Sequence, residues 1–112
     1  QRRVLGDEHD AVILSLGNLG SILTRGGRAA EAEPLLVEAL ETCPRTLGAD
    51  HSLCGSTLRK YAEVLVALGR DSEAERRLLE AHGILVAAYG EDHPDVASVE
   101  ADLAELQGGS PR

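Results

Sequence analysis

The sequence predicts an all-α protein, a stack of antiparallel helix pairs, on three observations. A Gly-x-(Asp/Glu)-His element recurs every 42 residues, as Gly6-Asp7-Glu8-His9, Gly48-Ala49-Asp50-His51 and Gly90-Glu91-Asp92-His93. Between these elements the apolar residues fall at helical spacing. No segment alternates apolar and polar residues as a half-buried strand does. A fixed period of this size belongs to repeated supersecondary units that bury their faces against one another, not to a single core around one active site.

Arg2-Arg3-Val4-Leu5 reads as the end of a preceding helix (1–5), and Gly6 opens a first repeat over 6–47. Its first helix, about 10–25, carries Ile13, Leu16, Leu19, Gly20 and Leu23 on one face. Gly27-Arg28 breaks the pattern, and a second helix, about 29–46, carries Ala32, Leu35, Leu36, Ala39 and Leu40. The second repeat, 48–89, has helices at about 52–68 and 71–88, with Leu58, Tyr61, Ala62, Leu65 and Leu68 on the first and Ala74, Leu78, Ala81 and Leu85 on the second. A half repeat over 90–107 supplies a fifth helix from Pro94, a residue suited to the first helical position. Val96, Val99, Leu103 and Leu106 form its apolar side, and the Gly-Gly-Ser-Pro-Arg tail, 108–112, reads as flexible. Residues 1–107 thus make one domain of five helices plus the tail of an earlier one.

Shifting the sequence by 42 aligns about a dozen identities between the two full units, among them His9/His51, Leu16/Leu58, Gly27/Gly69, Arg28/Arg70, Glu31/Glu73 and Leu36/Leu78. Small residues also match: Gly20 with Ala62, Ala32 with Ala74, Ala39 with Ala81. Small side chains at contact points let helix axes approach the lower end of the ~8–10 Å range.

On these residues the chain resembles the tetratricopeptide repeat family. The family's small and large signature positions fall on Leu16, Leu19, Gly20, Leu23, Gly27, Ala32, Leu36, Ala39 and Pro44, and again on Leu58, Tyr61, Ala62, Leu65, Gly69, Ala74, Leu78 and Ala81. Val86 stands where the second Pro would be, and Leu103 and Ala104 are what remains in the half repeat. The 42-residue unit exceeds the usual 34 or so, and with Glu31-Ala32-Glu33-Pro34-Leu35 in the second helix it is similar to the kinesin light chain class. The resemblance implies a right-handed α-solenoid whose first helices line a concave groove.

Composition narrows function by exclusion. The 112 residues are 43% apolar, yet contain no Phe, Trp or Met and two Tyr, so the interior is built from Leu, Val, Ile and Ala. No run approaches the ~20 apolar residues that cross a bilayer. A net charge of −8 opposes binding to phosphate backbones. Cys43 and Cys54 lack metal or redox spacing and read as small buried hydrophobes, from which a reducing, cytoplasmic location is expected. The start at Gln1 reads as a segment of something longer.

No catalytic or metal constellation emerges. His9, His51 and His93 belong to successive units and cannot converge on a ~2.1 Å zinc sphere; each sits at a helix mouth and reads as punctuation. Asp50-His51-Ser52 has triad residue types, but adjacency denies the geometry a nucleophile, base and orienting acid require. Gly26-Gly27-Arg28 lacks the strand and the Lys-Ser/Thr of a phosphate loop. The carboxylates of the second helices read as a solvated face, and no cofactor motif is present.

The expected function is therefore non-catalytic: a scaffold segment that receives a peptide or protein in the groove. Through the resemblance, the groove falls on Asn18, Ser21 and Arg25 of the first repeat and Arg59, Lys60 and Glu63 of the second. Its cations favour a partner with acidic groups: Asn18 would bond a peptide backbone, and Arg59 and Lys60 would pair with its carboxylates. A paired-Asn backbone clamp is mostly absent, since Gly17-Asn18 keeps one Asn and Arg59-Lys60 and Ala101-Asp102 keep none. Arrays of this long class often accompany signalling domains in bacterial proteins. The alternative is a peptide-sensing regulatory module controlling an attached catalytic or DNA-binding domain, which a domain outside residues 1–112 would favour. An apolar end around Val99, Leu103 and Leu106, without a following helix, is expected to support end-to-end self-association.

Overall fold

The computed structural model describes residues 2–47 and 52–107. Five helices follow in order: α1 (Arg2–Arg25), α2 (Ala29–Leu47), α3 (Ser52–Ala67), α4 (Asp71–Tyr89) and α5 (Pro94–Gln107). Among the described residues there is no strand. Consecutive helices pack on one another, and α1 also packs on α3, so first helices form one layer and second helices the other. The architecture is the expected all-α helical-repeat solenoid.

The turns inside the two pairs are copies of one another. The Arg28 amide donates to the Leu23 carbonyl at 2.7 Å and the Gly27 amide to Thr24 at 3.1 Å; 42 residues on, Arg70 reaches Leu65 at 2.8 Å and Gly69 reaches Val66 at 3.0 Å. This 6→1 and 5→2 pairing is the Schellman ending of a helix. It needs a left-handed residue at the turn, which Gly27 (φ 84°) and Gly69 (φ 82°) supply.

The core is aliphatic, as composition requires. Leu36, Leu65, Leu78, Leu85, Val96 and Val99 are fully buried, and Tyr61 is the single aromatic among them. Gly20 leaves the space that Leu36 of α2 fills: a Cβ placed there would clash with Leu36 Cδ2.

The third Gly-x-(Asp/Glu)-His element works as helix punctuation. The His93 carbonyl accepts from the Val96 and Ala97 amides, its Nδ1 accepts from the Asp95 amide at 3.0 Å, and its ring stacks on Tyr89 at 4.0 Å. A side-chain acceptor bonding the second helical N–H is what an N-cap does. His93→Ala is expected to cost about 1 kcal/mol and His93→Asn to restore most of it, as read by urea denaturation. The second element, 48–51, and the tail, 108–112, lie outside the described residues.

Four expectations are corrected. First, helix α1 is continuous from Arg2, with no break between a preceding helix and residue 10; a lone glycine costs helix about 1 kcal/mol and does not forbid it. Second, Leu19 is exposed, not in the core. Third, Cys43 and Cys54 form a disulfide between the end of α2 and the start of α3. Both are buried as expected, but as a cross-link, which removes the ground for inferring a reducing compartment. Fourth, the apolar side of α5 is covered. Val96 and Val99 are fully buried and Leu103 nearly so, because they face back onto α4, while the forward face presents exposed Ala97, Ala101 and Ala104.

Candidate functional site

The first-helix layer brings most of the expected site together. Gly17 of α1 faces Lys60 of α3, with a Cβ built on Gly17 standing 3.1 Å from Lys60 Cδ. The missing side chain lets the lysine stem lie along α1, with Nζ 3.7 Å from the same point. Burial pushes the Lys60 ammonium below its ordinary range; Glu63 opposes the shift, and Arg59 and Arg25 add to it.

One turn further on, Glu63 is shared between two α1 residues. The Ser21 hydroxyl donates to it at 3.4 Å and the Arg25 guanidinium lies 4.0 Å away. Ser21 is buried, so it supports Glu63 and does not line an open groove. Across the next gap, Arg59 Nε donates to Asp102 of α5 at 3.0 Å. Arg59 was expected to meet a partner's charge; its fork is already turned to a carboxylate of the same chain. Such half-exposed pairs contribute little stability, on the order of 0–1 kcal/mol, but they fix side-chain direction. Lys60 makes no ion pair with a described residue, and Asn18, next in sequence to Gly17, is exposed. The layer thus offers one uncommitted ammonium between two committed guanidiniums. A depression of about 240 Å³ opens next to Arg59, over Ala62, Val66 and Leu78, and is rimmed by Glu63, Asp102 and Glu105.

Sequence reasoning missed a larger depression on the opposite layer. Between α2 and α4 a cleft of about 760 Å³ is floored by Cys54, Leu58 and Tyr61 and walled by Val37, Leu40 and Ile84. Arg77 crosses its edge with its guanidinium carbon 5.5 Å from the Tyr61 ring centroid, a cation–π distance. The Tyr61 phenol is pushed up by burial first, then by Glu73 and Glu33. Its legible signal was the apolar pair Val37 and Ile84, which lie outside the stripes that pack each helix pair.

Among the described residues no group of His, Cys, Asp and Glu is placed to hold a metal ion, and no helix is long and apolar enough to cross a membrane. A family model described as tetratricopeptide repeat matches residues 11–85. No curated protein matches the chain.

Proposed function

Since the chain belongs to the tetratricopeptide repeat family, whose repeats generally mediate protein–protein interactions, we propose that it is a non-catalytic scaffold segment receiving an extended or helical peptide along α1, α3 and α5. The observation that carries the reading is Lys60. It is half-buried, laid across Gly17 and flanked by Arg25 and Arg59, whose own charges are answered by Glu63 and Asp102. A partner carboxylate entering there meets a positioned ammonium with weakened hydration, and exposed Asn18 of α1 offers a donor and an acceptor to a peptide backbone. The acidic-partner reading thereby narrows from three cations to one.

The 42-residue unit and the retained Glu31–Leu35 segment support placing the chain in the kinesin-light-chain-like class. Lys60→Glu, with circular dichroism to confirm an intact fold, is expected to abolish capture of the wild type's partners from a lysate of the source cell. Arg59→Ala should weaken capture less, since it mainly frees Asp102. Equal capture by Lys60→Glu and wild type would sink the proposal.

A further inference from the structure

The Cys43–Cys54 bridge ends on the floor of the cleft between α2 and α4, and its two halves are not equally placed. Cys54 lines the cleft and is 4% exposed. Cys43 does not line it and is 0% exposed, held in a cluster with Ile13 and Ala39. A thiolate opens a disulfide by attacking one sulfur and expelling the other, and access decides which sulfur is attacked. Here access from the cleft leads to Cys54.

The cleft also selects the attacking group. Val37, Leu40, Leu58 and Ile84 give it apolar walls, and its volume of about 760 Å³ is that of a small-molecule site. Its charged lining is Glu41, Glu80 and Arg77. The Arg77 guanidinium is already engaged, by Glu80 at 3.0 Å and by Glu73 at 4.0 Å. An anionic group therefore meets carboxylates and a committed cation, on a chain whose net charge is −8. An uncharged group with an apolar body meets no such opposition.

We propose that Cys54 is a thiolation site, at which a small, uncharged, apolar thiol enters the cleft and exchanges with the bridge. The thiol ionises in solvent, and its thiolate forms a new S–S bond to Cys54 Sγ. The Cys43–Cys54 bond breaks, its electron pair leaves on Cys43 Sγ, and that sulfur takes a proton from water. One disulfide replaces another, so no oxidant or reductant is consumed. The product carries the thiol's apolar body in the cleft and leaves α2 without its covalent tie to α3. Attack by Cys43 on the same sulfur reverses the step. The site opens on the layer opposite Lys60 and does not rest on the groove reading, so Lys60→Glu should leave it untouched.

The test treats the oxidised full chain, under native conditions, with benzyl mercaptan and with mercaptoacetate. Each rate is normalised to that thiol's rate on a small open disulfide. Alkylation caps whichever cysteine is freed, and mass spectrometry locates the adduct. The expected result is a benzyl adduct on Cys54 with Cys43 alkylated, favoured about tenfold over the reverse, a selectivity that vanishes in the urea-unfolded chain. The normalised rate with mercaptoacetate should be about tenfold lower. Gly83 lines the cleft with nothing within 4 Å of a Cβ built on it, which leaves room for a side chain to narrow the opening. Gly83→Leu should slow exchange about fivefold relative to Gly83→Ala, since the two residues differ little in helix propensity and mainly in bulk. Adducts distributed as in the unfolded chain, or rates indifferent to Gly83→Leu, would show that the bridge opens by unfolding and overturn the proposal. Equal normalised rates for the two thiols overturn it by removing the selection, and the absence of any adduct overturns it outright.

Discussion

Replacing Cys43 and Cys54 together by alanine is expected to lower stability by about 3 kcal/mol. The bond closes a loop of sequence separation 11, and on the chain-entropy account the denatured state regains that loop's freedom once the link is gone. A domain of 112 residues has a total stability of roughly 5–15 kcal/mol, so the loss is a large share. The repeat supplies a control. Positions 43 and 54 correspond to Leu85 and Val96 in the next joint, both fully buried. Cys43→Leu with Cys54→Val therefore installs the residue types the fold buries at the next joint, and should recover about 1 kcal/mol of the loss. Urea denaturation with and without reductant checks both points. Reductant should lower the wild-type midpoint and leave either double variant unchanged, and a wild-type midpoint indifferent to reductant would contradict the assignment.

The second large effect is expected at Leu36. Its side chain is fully buried and fills the notch left by Gly20, so Leu36→Ala should cost about 3 kcal/mol through lost transfer energy and a cavity between α1 and α2. The cavity lies where a Cβ on Gly20 would point. Gly20→Ala in the Leu36→Ala background should thus recover about 1 kcal/mol, whereas in the wild type the same methyl meets Leu36 Cδ2 and must displace it. A double-mutant cycle by thermal or urea unfolding would read the coupling directly, and additive effects would show that the two side chains do not share this space. The second unit has Ala62 and Leu78 at these positions, both buried. A leucine in this setting therefore has an arrangement compatible with a methyl group opposite it.

Much of the fold was legible because its determinants are local. Helical periodicity and the Gly27 and Gly69 turns place α2, α3, α4 and α5 to within a residue or so of their ends. The disulfide was not legible from cysteine spacing, because the two sulfurs meet through the antiparallel docking of α2 on α3. The 42-residue register held the clue, since Cys43 and Cys54 stand where Leu85 and Val96 are fully buried in one cluster at the next joint. The same omission misdirected the α5 stripe. Val96 and Leu103 match Cys54 and Tyr61, residues that look backward to the previous helix.

At the candidate site, the sequence placed Arg25, Lys60 and Glu63 on one layer, and the structure brings them together. It did not reveal that Arg59 is answered by Asp102, because that pair spans 43 residues and depends on how α5 leans on α3. Ser21 was misjudged as open because a hydroxyl gives no sign from sequence of whether a neighbouring helix covers it.

The staple also sets an order of events when the stack comes apart. Units arranged in series open at their weaker junction first. The α2–α3 junction is covalent, while α5 is held on α4 by the apolar contact, the His82–Glu100 pair and the Gln107–Glu75 bond. The α4–α5 junction is accordingly expected to open before the α2–α3 junction, and amide exchange should be slower beside the bridge than along α5. The pairing of α1 with α3 that carries Lys60 does not depend on the α4–α5 contact.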